Sequence, residues 1–135
     1  MKLFIADDNV GFRTRLAAVL GGIQGIEVCG VSGDVAGTIE GIRKAEPDTL
    51  ILDIRMPGGS GLDVLSAVKK VKRAPLVIML TIGPRSEYQA VCLANGADYF
   101  FEKSSDLQKM VSLLTTMATK SPVRGAVHHT VKVHR

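Results

Sequence analysis

Apolar residues in this chain alternate between two spacings. Short, nearly unbroken runs occupy residues 2–6, 27–31, 49–52, 76–80 and 99–102, and the stretches between them carry apolar residues at helical intervals. Short apolar runs bounded by turn formers read as strands. The first helix is predicted from Val10 to Leu20, with Phe12, Leu16, Val19 and Leu20 facing inward and Gly21-Gly22 as its stop. The second runs from Ser32 to Ala45 with Val35, Ala36, Ile39 and Ile42 inward. It ends at Glu46-Pro47, because the residue before a proline resists the helical conformation. The third, Ser60 to Val71, turns Leu62, Leu65 and Val68 inward and places Lys69, Lys70, Lys72 and Arg73 near its carboxyl end, where cations suit the helix dipole. The fourth, Ser86 to Asn95, is capped by Gly96. Ser104, Ser105 and Asp106 each offer an N-cap for the fifth, which buries Leu107, Met110, Val111, Leu114 and Met117.

Five strands alternating with five helices at this spacing predict a parallel sheet with right-handed crossovers. Continuous apolar runs in the middle strands predict helices on both faces, an α/β fold in three doubly wound layers. At 135 residues the chain accommodates one domain, residues 1–120, followed by a basic, flexible tail over 121–135.

Composition narrows the functional classes. Apolar content of 46% supports a packed core. The apolar runs fall short of the roughly 20 residues a membrane span needs. The N-terminus turns acidic at Asp7-Asp8, too early for a secretory signal. Cys29 and Cys92, with no metal-ligand spacing, read as small core residues in a reducing compartment, which predicts a cytoplasmic protein. The formal charge of +4 comes largely from Arg124, Lys132 and Arg135 in the tail. Without stacking aromatics or a recognition helix, that excess gives no ground for nucleic-acid binding by the domain. His128, His129 and His134 read as solvated tail residues.

The chemistry gathers at strand ends. Asp7 and Asp8, Asp53, Thr81 and Lys103 each follow an apolar run. In an open parallel sheet ligands bind outside the carboxyl ends of the strands. Clustered carboxylates repel one another unless a cation neutralises them, and a hard dication such as Mg²⁺ takes oxygen ligands. Three carboxylates, a hydroxyl and an ammonium point to chemistry on a metal-bound phosphoryl group. Taken singly, each has a plainer reading: Asp8 or Asn9 as a helix cap, Thr81 as a loop hydrogen-bonder, Lys103 as a solvated charge.

The order Asp7-Asp8, then Asp53-Ile-Arg-Met-Pro-Gly-Gly-Ser-Gly-Leu, then Thr81 and Lys103 resembles the receiver domain of bacterial two-component response regulators. Gly96-Ala97-Asp98 and the aromatic run before Lys103 add to the likeness, which covers about residues 1–120. The resemblance implies a flavodoxin-like, chemotaxis-regulator-like fold with strand order 2-1-3-4-5. It implies that Asp53 accepts a phosphoryl group from a sensor histidine kinase or phosphotransfer protein. Mg²⁺, with Mn²⁺ as an alternative, would be held by Asp8, Asp53 and the backbone carbonyl of Arg55, with Asp7 acting through water. Thr81 and Lys103 would contact the phosphoryl oxygens. Thr81 and Phe100 would form the switch, with Tyr99 and Phe101 as core on the opposite face. The output surface would be the fourth helix, fifth strand and fifth helix, about residues 86–119, meeting a downstream protein or a second copy. Any enzymatic activity would be limited to self-phosphorylation and self-dephosphorylation.

Some positions depart from that pattern. Ile82 stands where the family carries a small residue, and a branched side chain there would narrow access to Asp53 or hinder Thr81. Ser104 replaces a common proline, which predicts a trans bond after Lys103. Arg55 and Gly83, each two residues past a site residue, would tune acyl-phosphate lifetime. Other readings stay open: a receiver that docks or dimerises without phosphorylation, the receiver part of a longer DNA-binding regulator, or a Mg²⁺-dependent phosphohydrolase. The last would want an acid two residues after the nucleophile, where Arg55 stands. Binding of nucleic acid through the tail alone would show as steeply salt-dependent affinity.

Overall fold

Every predicted apolar run is a strand. A computed structural model of the chain describes residues 1–83 and 85–120, with the side chains at 85–87 and 120 left aside. The elements are β1 (Lys2–Ala6), α1 (Val10–Gly21), β2 (Glu27–Ser32), α2 (Val35–Ala45), β3 (Thr49–Leu52), β4 (Arg55–Met56), β5 (Gly59–Ser60), α3 (Gly61–Val68), β6 (Leu76–Thr81), α4 (Arg85–Ala94), β7 (Tyr99–Glu102) and α5 (Leu107–Lys120). Five strands form one parallel sheet in the order β2-β1-β3-β6-β7. That is the predicted 2-1-3-4-5 order once the small antiparallel β4-β5 hairpin, which the sequence did not announce, is set apart.

Successive strand residues face opposite sides of a sheet, so an unbroken apolar run feeds two cores at once. Phe4, Leu50, Leu52, Val77, Met79 and Phe100 pack on one side with Val35, Val64, Leu65 and Cys92 from the helices. Leu3, Ile5, Ile51, Ile78 and Leu80 pack on the other with Leu16, Leu20, Met110 and Leu114. Cys92 is buried and Cys29 packs half-buried against the first cluster, as core cysteines do.

Caps place the helices immediately after the strand ends. Asn9 Oδ1 accepts from the Phe12 N–H at 2.8 Å, and Asp34 Oδ1 accepts from Gly37 at 2.6 Å. Ser60 and Asp63 form a reciprocal capping box at α3. These caps start α2 at Val35 and α3 at Gly61, inside the predicted bounds.

Several inward faces differ from expectation. In α1, Leu16 and Leu20 are buried and Phe12 half-buried, but Val19 is 56% exposed, rotated off the line set by the other three. In α2 the buried residues are Val35 and Thr38, with Ala36 and Ile39 outside. Thr38 can be buried because its hydroxyl donates to the Asp34 carbonyl at 2.6 Å. In α5, Ala118 joins Met110 and Leu114 in the core, leaving Met117 half-buried outside it. Tyr99 is 38% exposed on edge strand β7, its ring stacked on half-buried Phe101 with centroids 6.3 Å apart. No helix among the described residues is long and apolar enough to cross a membrane. The tail expectation, with its three histidines, lies outside the described residues.

Candidate functional site

The carboxyl edge of the sheet brings the strand-end residues into direct contact. Backbone bonds hold the ends level: the Asp7 N–H donates to Ser32 O at 2.9 Å, Asp53 to Ala6 O at 3.0 Å, and Lys103 to Thr81 O at 2.9 Å. Asp53 is 5% exposed and both its carboxylate oxygens are engaged. The Thr81 hydroxyl donates to Oδ1 at 2.8 Å, and Lys103 Nζ donates to Oδ2 at 3.2 Å. The same ammonium lies 2.6 Å from Asp7 Oδ2, while Asp7 Oδ1 accepts from the Asn9 N–H at 2.9 Å. Arg13 Nη1 donates to the Asp7 carbonyl at 2.7 Å.

Charge in the pocket follows from this crowding. Burial pushes the Asp7 carboxyl above its usual range and the neighbouring Asp53 charge adds to it, against the opposing pull of Lys103 and the Asn9 N–H. Burial alone would lower Lys103, but its hydrogen bond to Asp7 and the charges of Asp53 and Asp7 outweigh that. The ammonium is therefore held charged, above the ordinary lysine value.

Asp7, Asp8 and Asp53 each offer a carboxylate oxygen, all within 4.8 Å of one another. The donor set is hard oxygen, Asp7 and Asp53 are buried, and exposed Asp8 leaves a solvent side for water ligands. That set is compatible with Mg²⁺.

Four further residues carry expectations from the sequence. Arg55 lies on β4 with its side chain exposed. Ile82 is 63% exposed, so its side chain stands largely in solvent. Gly83 has φ +124, and a Cβ there would meet the Tyr88 ring at 3.5 Å. Phe100, 6% exposed, packs in the core. The peptide bonds of the described residues are trans, that after Lys103 included. Three contacts had no signal in the sequence. The Phe12 ring centroid lies 4.4 Å from Lys103 Nζ, Arg13 braces Asp7, and Gly61 lies against the Asp53 backbone. Each joins residues from different elements, which periodicity within one element cannot show.

A parallel sheet in flavodoxin order, with an acidic pocket, a threonine and a lysine at its carboxyl edge, defines the receiver class of α/β domains. The family model described as the response regulator receiver domain matches residues 3–115, and the chain belongs to that family. It is 34% identical over 108 residues to protein-glutamate methylesterase/protein-glutamine glutaminase 5 of Myxococcus xanthus, covering 79% of this chain and 31% of the relative. It is 30% identical over 118 residues to oxygen regulatory protein NreC of Staphylococcus carnosus, covering 87% of this chain and 54% of that one. The chain thus spans only part of the length of these relatives. Among solved structures, the signal receiver domain of the Mycobacterium tuberculosis response regulator NarL superposes with TM-score 0.78 at 27% identity, over 87% of this chain and 95% of that one.

Proposed function

We propose that Asp53 is the phosphoacceptor of this receiver, taking its phosphoryl group from a phosphohistidine on a sensor kinase or phosphotransfer protein. The observation that carries this is the grip on one buried carboxylate, with Thr81 at Oδ1 and Lys103 at Oδ2 beside two further acids. A carboxylate oxygen attacks phosphorus as the bond to the donor's imidazole nitrogen breaks, leaving an aspartyl phosphate. The Thr81 hydroxyl and the Lys103 ammonium are placed to meet charge spreading over the phosphoryl oxygens. When bound, Mg²⁺ supplies a Lewis acid that draws negative charge from the transferring group. Asp8 and Asp53 would hold it directly with the Arg55 carbonyl, and Mn²⁺ suits the same oxygens. Asp7 would reach it through water.

Thr81 at the pocket and Phe100 on β7 would couple the new charge to α4, β7 and α5, the surface proposed to meet a downstream target. Relatives named as a methylesterase and an oxygen regulatory protein support a downstream effector. Ile82, Arg55 and Gly83 would border the approach and set the lifetime of the acyl phosphate. The phosphohydrolase reading fares worse, because Arg55 offers no acid there.

Intact mass after incubation with acetyl phosphate and Mg²⁺ tests the reading. A single phosphoryl adduct is expected, absent in Asp53→Asn and with EDTA. An adduct that survives Asp53→Asn would move the acceptor elsewhere.

A further inference from the structure

The proposed chemistry needs the Lys103 ammonium at a fixed point, yet lysine carries its charge on a flexible four-carbon stem. Two acids fix it from one side, Asp7 at 2.6 Å and Asp53 at 3.2 Å. A third group closes on it from α1, the Phe12 ring, with its centroid 4.4 Å from the same nitrogen. That lies within the roughly 6 Å reach of a cation–π contact. The Lys103 side chain is only 10% exposed, so the contact is made largely out of water, where such attraction is strongest.

The ring is itself anchored. The Phe12 N–H donates to Asn9 Oδ1 and the Asn9 N–H to Asp7 Oδ1, so the ring and Asp7 are tied within one short stretch of chain. Elsewhere the ring lines a groove of about 280 Å³ together with Arg15, Leu16, Val19, Leu107 and Val111. The deep core beneath α1 is filled by Leu16 and Leu20, while Phe12 is only partly buried. An aliphatic residue at this place would supply apolar contact of the same kind. What an aromatic adds is a negative ring face toward the ammonium.

We propose that Phe12 is a positioning residue for phosphoryl transfer: its ring holds the Lys103 ammonium against Asp7 and Asp53, where incoming phosphoryl oxygens arrive. The proposal rests on the reading of Asp53 as phosphoacceptor. Phe12 touches no reacting atom and acts only through Lys103. Leucine at this position keeps the apolar contact and loses the ring face, whereas tyrosine keeps both.

A double-mutant cycle in the full chain tests it, using Phe12→Leu, Lys103→Gln and the pair. Labelling by acetyl phosphate with Mg²⁺ is followed by intact mass over long incubations. Exchange of the Lys103 ammonium protons with water is followed by NMR without phosphodonor. Phe12→Leu is expected to slow labelling about threefold to tenfold, the weight of one such contact. It should also speed ammonium exchange, and Phe12→Tyr should restore both. Once Lys103→Gln is present, Phe12→Leu should slow labelling no further. Equal slowing in both backgrounds means a merely structural role and overturns the proposal, as does unchanged ammonium exchange in Phe12→Leu. Failure of the phosphoacceptor reading looks different: the wild type takes no label, which removes any role in transfer. The exchange rates of Phe12→Leu and Phe12→Tyr then still decide whether the ring holds the ammonium.

Discussion

Replacing Gly61 with alanine asks whether the position of Asp53 is fixed by backbone contact. Gly61 opens α3 where the chain returns from the β4-β5 hairpin, and its N–H donates to the Ile54 carbonyl at 2.6 Å. A Cβ there would collide with the Asp53 carbonyl oxygen and lie 2.9 Å from the carbonyl carbon and 3.0 Å from Ile54 Cα. Non-bonded carbons settle about 3.5–4.0 Å apart, so the two segments must separate by roughly 0.5–1 Å. Both are backbone, and Asp53 is tied to Ala6 at 3.0 Å, so no flexible side chain can absorb the shift. Overpacking of this kind costs about 3 kcal/mol at the upper end of its usual range. Alanine's better helix propensity returns up to about 1 kcal/mol, leaving a net loss of about 2. For a domain of this size that lowers Tm by roughly 6–8 °C. Labelling should suffer more, since misplacing a reacting group by about 1 Å costs on the order of 100-fold. Thermal unfolding followed by circular dichroism and acetyl phosphate labelling read the two effects separately. A variant that melts within about 2 °C of the wild type and labels at its rate would refute the reasoning.

Three further outcomes are expected. Because Lys103 is held above its ordinary value of 10.5, its contribution to stability is complete below that pH and is lost as pH rises through the folded value. Chemical denaturation should show stability falling more steeply above about pH 10.5 in the wild type than in Lys103→Gln, and parallel curves would contradict the bridge. Thr81→Ala removes the donor to Asp53 Oδ1, and labelling should slow about tenfold, with stability lower by about 1–2 kcal/mol in urea titration. An unchanged labelling rate would exclude Thr81 from the transfer. Glu46 closes α2 with φ +50, a conformation that costs a side-chain-bearing residue about 1–2 kcal/mol. After the extra unfolded-state entropy of glycine, Glu46→Gly should stabilise by about 0.5–1 kcal/mol, visible as a higher Tm. A lower Tm would mean that the glutamate makes a compensating contact.

What the sequence made legible was whatever repeats along a single element or sits at its end. The five apolar runs announced the strands, and the polar residues after four of them announced the pocket, because a parallel sheet sends all those ends to one edge. The faces of α2 were misjudged because hydrophobicity alone ranks Ile39 above Thr38. The structure buries the threonine, whose hydroxyl is satisfied by Asp34. Tyr99 and Phe101 both read as core, yet β7 is an edge strand and leaves Tyr99 partly in water. The β4-β5 hairpin escaped notice because strands of two residues carry no periodicity. The glycine closing the Asp-x-x-Met-Pro-x-x-x-Gly stretch was visible as a motif, while its reason, contact with the Asp53 backbone, emerges only in three dimensions.

Among the α4 side chains described, Cys92 alone is buried, while Val91 and Leu93 are 41% and 42% exposed. The helix proposed to meet a downstream target therefore lends the core Cys92 and the half-buried Tyr88, while Val91 and Leu93 stay outside. Its outer residues can be exchanged without passing through the fold or through the carboxylate pocket. Partner choice and phosphoryl chemistry are in that sense separately heritable: a lineage can acquire new listeners one surface residue at a time while Asp53 and its neighbours go on unchanged.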